Sequence, residues 1–211
     1  MANAIPSIAC LGVIGRNNNP LHITIFPSYD AATNTRAPLR TPLQFSLLLS
    51  STLDVFEARV RRSAQAGPGG TPTLTGDFGL LHAVDERLAA YGFETNTGVK
   101  FVAVVDMRGR LAFSSAGGGS VVAGGAGERT MSVGAGAGIR GGVGLRETEL
   151  RVVFRAMQTA YVRLLQNPFY DPDEHAPLLP PAGGGKRITS RKFAEEMRRI
   201  GEGWAPGVAS L

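Results

Sequence analysis

Three stretches of this sequence carry residue types that could do chemistry. Gly136-Ala137-Gly138-Ile139-Arg140-Gly141 spells G-x-G-x-x-G. In dinucleotide sites those glycines let the backbone approach a pyrophosphate at a helix N-terminus. The chemistry also needs a strand before the loop and an acid on a second strand. A helical pattern follows here, but no strand pattern precedes it. Residues 114–144 hold 12 Gly, so composition alone produces the match. Gly183-Gly184-Gly185-Lys186 resembles the end of a phosphate loop. Arg187 stands where Ser or Thr must hold Mg²⁺, and Pro180-Pro181 replace the strand and first Gly. A flexible basic loop is the better description. Asp171, Asp173, Glu174 and His175 are close together but lack EF-hand spacing and lie among prolines, as a solvated acidic loop does. His22 and His82 sit in apolar runs, and no serine occupies a G-x-S-x-G elbow. No enzyme activity, cofactor or metal is expected.

Composition narrows the remaining classes. The 211 residues carry a net charge of +5, spread along the chain rather than concentrated. This predicts a solvated or partner-facing surface. Nucleic acid is not expected as a partner, because Phe101 stands alone among Val and Ala where a base-stacking strand alternates aromatics. Cys10 is the sole cysteine, which suits a reducing compartment and a small buried hydrophobe. No apolar run has the length of a transmembrane helix. Residues 8–14 lack a preceding positive charge and read as a strand, not a signal peptide.

The elements that must position any site follow from periodicity. Ser7–Gly15 and Leu21–Phe26 are apolar runs around an Asn/Pro turn, a hairpin pattern. Residues 27–38 form a polar loop. Thr41-Pro42 starts a helix, with Thr as cap and Pro first inside. Phe45, Leu49, Leu53, Phe56 and Val60 share one face of it, and Gly67-Pro68 stops it. Within the harder stretch Asp77–Ala90, Phe78–His82 is apolar, and Val84–Ala90 fits either a turn of helix or an irregular strand. Tyr91–Asn96 and Val99–Asp106 flank Asn96-Thr97-Gly98, a second hairpin signal. The near-continuous apolar run Lys100–Asp106 suits a central strand covered on both faces. The Gly-rich residues 114–144 cannot bury enough to offset their ordering entropy, and read as a flexible insertion. Leu150, Val153, Phe154, Met157, Tyr161, Leu164 and Leu165 line an amphipathic helix that ends at Asn167-Pro168. Its other side carries Arg151, Arg155 and Arg163, a solvated face or a contact for an acidic neighbour. Thr189 or Ser190 caps a last helix through Ile200, stopped by Gly201. The predicted order is β-β-α-β-β-(β)-α-α.

Three blocks within that order carry a resemblance. The first is Leu53-Asp54-Val55-Phe56-Glu57. The second runs from Phe78-Gly79-Leu80-Leu81 through Tyr91–Asn96 to Val99–Asp106. The third runs from Leu145 to Arg151, then Phe154-Arg155, Tyr161 and Asn167-Pro168-Phe169-Tyr170-Asp171-Pro172, and on to Ile188–Phe193. Together they resemble the sedlin family of TRAPP vesicle-tethering subunits, most of all its subunit 2-like branch. The resemblance spans the chain outside the loops at 27–40, 114–144 and 173–187 and the C-terminal extension.

It implies an α/β (α+β type) longin fold: a five-stranded antiparallel sheet with one helix on one face and two on the other. One domain over 1–211 is expected, with flexible insertions at about 27–40, 114–144 and 173–187 and a flexible tail at 201–211. The implied role is a non-catalytic adaptor that supports assembly of a Rab guanine-nucleotide exchange complex in ER-to-Golgi and intra-Golgi transport. Other TRAPP subunits would be its partners and a Rab-type GTPase an indirect one. It would be cytoplasmic, and peripheral at Golgi membranes through the complex. A longin module of another trafficking machine, or a small nucleotide-dependent enzyme using the Gly-rich tract, are the alternatives. Candidate partner-binding residues are Asp54 and Glu57 on the first helix, Arg155 on the second, and Phe169 and Tyr170 after it. Asp54 borders the apolar stripe, where the resemblance favours a charge touching a neighbouring subunit over a solvated residue. Phe169 and Tyr170 are expected chiefly to staple the connection onto the sheet, with an exposed anchor as the alternative.

Overall fold

β1 (Ala4–Ile14) and β2 (Pro20–Ile25) pair as the predicted antiparallel hairpin. Its turn is closed by Gly15 N donating to Asn19 O at 2.8 Å, with Asn18 at φ 60°. The computed structural model describes residues 4–30, 33–65, 76–111, 145, 147–170 and 187–211. The Gly-rich insertion, the acidic cluster at 171–175, the Gly183–Lys186 loop and the Gly67-Pro68 helix stop therefore lie outside the described residues.

Residues 27–38, expected to be loop, contain a small hairpin of β3 (Ser28–Asp30) and β4 (Thr35–Ala37). Its turn residues bond one another: Tyr29 donates its hydroxyl to Asn34 Oδ1 at 2.9 Å, and Thr33 Oγ1 donates to Asp30 Oδ2 at 2.9 Å. β4 is wholly exposed, so no apolar alternation marked it.

α1 (Pro42–Gln65) begins with a reciprocal cap. Gln44 N donates to Thr41 Oγ1 at 3.3 Å, and Thr41 N donates to Gln44 Oε1 at 2.9 Å. Phe45, Leu48, Leu49, Thr52 and Phe56 are buried, but Val60 is half exposed and not on the covered stripe. The reason is the sheet's width. Beside Val60, Arg59 donates to the carbonyls of Phe78 and Leu80 on the edge strand, so this end of α1 lies over the border.

The ambiguous stretch resolves into β5 (Asp77–Ala83) and β6 (Leu88–Glu94). Asp85 Oδ1 closes their turn by accepting from Arg87 N at 2.7 Å and Leu88 N at 2.6 Å. β7 (Lys100–Leu111) follows through the Asn96-Thr97-Gly98 turn, where Gly98 takes φ 79°. The five-stranded sheet has the order β2-β1-β7-β6-β5, with neighbours antiparallel. β7 is central, as its apolar run predicts. Val102 and Val104 pack under α1, while Phe101, Ala103 and Val105 face the other side. Ile8 pairs with Val105 and Cys10 with Val104, so Ala9 and Cys10 together oppose a single step of β7. That bulge turns both toward α1, and burial pushes the Cys10 thiol's pKa up.

α2 (Glu147–Leu165) and the last helix, α3 (Arg191–Gly203), cover the second face. The architecture is the expected α+β sheet with one helix on one side and two on the other. Ser190 caps α3, accepting from Phe193 N at 3.4 Å. Gly201 does not stop it. A Cβ there would lie 2.1 Å from Phe26 Cζ, so glycine allows the helix to approach that ring. The helix continues to Gly203, and Trp204 is fully buried. The expected tail from 201 thus begins with core.

Between the layers, Asp106 is fully buried and accepts from Arg87 Nε at 2.8 Å and Nη2 at 2.9 Å. Arg87 Nη2 also donates to Tyr29 O at 2.5 Å, which ties the small hairpin to the sheet.

His22 on β2 meets the Phe193 ring edge-on at 5.2 Å, and its Nε2 lies 2.8 Å from Thr24 Oγ1. Burial, and secondly the Arg187 charge, lower its pKa below 6.5. A folded value below the free value favours the neutral ring. This contribution is complete above the free value and is lost as pH falls through the folded one. The urea midpoint is therefore expected to drop between about pH 7 and pH 5, and to drop less in His22→Gln. Equal drops in the two proteins would remove His22 as the cause.

Candidate functional site

The candidate residues do not converge. They lie on the two opposite faces of the sheet. Asp54 and Glu57 are exposed on α1. They share one helical line with Leu43, Leu47 and Arg61, because intervals of four, seven, three and four residues return to the same side of a 3.6-residue turn. Leu43 is 69% exposed and Leu47 62%. Neither belongs to the stripe that packs on the sheet, and the periodicity reading passed over both. Their signal was present: two leucines four apart and out of phase with Phe45, Leu49 and Phe56. Arg61 Nη2 reaches Glu57 Oε2 at 3.4 Å, an exposed pair worth only a few tenths of a kcal/mol, about 0.3–0.5. Among the described residues Asp54 has no ion-pair partner.

The other face carries Arg155, Phe169 and Tyr170. The expectation for the two aromatics divides. Tyr170 is half-buried and packs on the α2–α3 core. Phe169 is 95% exposed. Asn167 Oδ1 accepts from Phe169 N at 3.2 Å, and Asn167 O accepts from Tyr170 N at 3.0 Å, so the tight turn after α2 sends adjacent side chains opposite ways. Phe169 is no staple.

Arg155 lines a cleft of about 480 Å³ between α2 and the end of β6. Phe154, stacked at 5.9 Å on Phe93, lines it together with Val162 and Leu165. These walls come from residues more than fifty positions apart, beyond the reach of periodicity.

Both surfaces are helix lines with exposed apolar side chains and flanking charge. Among the described residues no helix is long and apolar enough to cross a membrane.

The sedlin family model matches residues 13–203, nearly the whole chain and all of α1, α2 and α3. The chain belongs to the sedlin family. Similar proteins share the match at low identity. The trafficking protein particle complex subunit 2-like protein of Dictyostelium discoideum is 24% identical over 195 residues, 92% of this chain and 95% of that protein. Those of Mus musculus and Bos taurus are each 25% identical over 184 residues, 87% of this chain and 89% of theirs. The sedlin match extends through Gly203, so the α3 helix that ends at buried Trp204 is part of the family's domain.

Proposed function

We propose that this sedlin-family chain is a non-catalytic adaptor subunit of a TRAPP-type vesicle-tethering complex, docked on a neighbouring subunit through the outward line of α1. The observation that carries the reading is the pair Leu43 and Leu47, 69% and 62% exposed, in line with Asp54 and Glu57. Two aliphatic side chains held in water on a stable helix supply apolar area, and the carboxylates fix register and exclude wrong partners. Family membership and the names of the relatives support the kind of complex. Through that assembly the chain would support Rab guanine-nucleotide exchange in ER-to-Golgi and intra-Golgi transport. It would be cytoplasmic and held at Golgi membranes by its partners.

Affinity capture of the tagged full chain from native cytosol, read by mass spectrometry, tests this directly. TRAPP subunits are expected in the eluate. Leu47→Glu and Asp54→Tyr are each expected to cut their recovery at least about tenfold, the scale of one interface hot spot. Both positions are exposed, so thermal melts should match wild type within about 0.5 kcal/mol. Undiminished recovery with both variants would sink the α1 assignment, and an eluate without TRAPP subunits would sink the function.

A further inference from the structure

The sheet ends in two outer strands, β2 and β5, and among the described residues no further strand pairs with either. An outer strand offers backbone donors and acceptors to any extended segment, and proteins blunt such edges with charge, proline, bulges or a covering element. At β2 the chain's own backbone arrives: Ile188 N donates to Leu21 O at 2.9 Å. β5 has a different protection. It contains no Lys, Arg or Pro, and Leu80 in its middle is 39% exposed. Its register against β6 shifts between Asp77 and Gly79 and again between Leu80 and His82, which bends the strand without charging it. The charge comes from α1. Arg59 Nη1 donates to Phe78 O and Nη2 to Leu80 O, so one guanidinium holds two carbonyls of the edge. These acceptors lie two residues apart, the spacing at which a strand presents successive groups to a neighbour.

We propose that Arg59 is the guard of the β5 edge. While its fork holds both carbonyls, no strand of another molecule adds there; without it, the edge accepts β5 of a second copy. Two β5 edges related by a twofold axis run antiparallel and present the same row of groups to each other. Pairing therefore closes at two copies and does not grow into a chain. Arginine suits the task because its planar fork spans two acceptors and stays charged, whereas an ammonium is a point charge. A guard carried by the helix also makes closure of the edge depend on α1 staying seated over β5, which a lysine within the strand would not. Arg59 lies outside the line of Leu43, Leu47, Asp54 and Glu57, so the inference stands apart from docking through that line.

Sedimentation velocity on the full chain, over a rising concentration series, tests this. Wild type is expected to stay monomeric. Arg59→Met keeps a stem of similar length and loses the donors; Arg59→Gln loses the charge and the fork. Both are expected to dimerise at least about tenfold more tightly than any self-association of wild type. Arg59→Lys, which keeps the charge alone, should fall between. Amide exchange in β5 should slow as the dimer forms. The double variant Arg59→Met/Leu80→Lys should return to monomer, because like charges then face each other across the pair. Circular dichroism checks that each variant folds, and the Gln variant decides the matter if the Met variant does not. Folded variants that remain monomeric, a dimer without added protection in β5, or a dimer that survives Leu80→Lys would overturn the proposal. So would a wild-type dimer with β5 protected, because the edge would then be open with Arg59 in place.

Discussion

Trp204→Ala is expected to lower the unfolding free energy by about 3–5 kcal/mol, the range for removing a buried Trp or Phe. The residue follows the last turn of α3 and is 0% exposed. Its indole shares a core with Leu150, Val153 and Met197, and Nε1 donates to Glu149 O at 3.2 Å. That carbonyl lies in the first turns of α2, so one side chain joins the end of one helix to the start of another. Alanine would leave a void and take the bond away together. For a chain of this length about 1 kcal/mol moves the melting temperature by 2–4 °C, so a drop of roughly 6–20 °C is expected. Trp204 is the sole tryptophan, so unfolding is followed by circular dichroism. Trp204→Phe should retain part of the stability, because it keeps a ring and loses the donor. A loss below about 1 kcal/mol for Trp204→Ala would mean that the indole is not in the core in solution.

The contrast between Trp204 and β7 explains what could be read from sequence. β7 announces itself because Phe101–Val105 is apolar at five successive positions, a run that suits a strand covered on both faces. The hairpin turns were legible for a similar local reason: Gly98 and Asn18 take positive φ, which their residue types permit. Trp204 has no periodic neighbours and follows two glycines in a helix turn, so local pattern makes it a tail. Only its packing against α2 makes it core. Gly201 misled in the same way. A stop signal by residue type, it is a close-approach site against Phe26.

The surfaces divide along that line too. Phe169 and Tyr170 are neighbours of the same class, and no sequence period decides which one faces the core. The turn geometry does, and it exposes Phe169. Arg155 was placed on an outward helix face, because charge opposite an apolar stripe is a helical signal; Asp54, expected at the border of the stripe, is instead exposed on the line opposite it. Their companions were missed. Leu43 and Leu47 look like core residues by type, and the cleft needs Phe93 and Val162 brought together by the fold. A binding surface is an exposed apolar group in a specific tertiary setting, whereas a core stripe is a local regularity.

Arg87→Met is expected to destabilise the fold by about 3–5 kcal/mol, because it strands the buried Asp106 carboxylate without its cation. Both carboxylate oxygens accept from the guanidinium, and Arg108 N donates to Oδ1 at 2.9 Å. One backbone amide cannot replace a two-point charged partner. The exposed pair Arg40–Asp85 at 2.7 Å shows why distance alone is a poor guide. Its side chains are 35% and 37% exposed, and breaking it should cost about 1 kcal/mol or less, since water re-solvates both groups. At Asp106 water has no access, so the single substitution costs far more than the intact pair contributes. That asymmetry yields the decisive measurement. The double variant Arg87→Met/Asp106→Asn removes both charges and should recover much of the loss, with a coupling energy of about 1–3 kcal/mol in a urea-unfolding cycle. Additive effects would show that the two groups do not act as a pair. The same substitution removes the donor to Tyr29 O, so amide exchange in β3 and β4 should accelerate in both variants even where the double variant regains stability. Stability and hairpin attachment would then separate: the first depends on charge balance at Asp106, the second on the arginine fork itself.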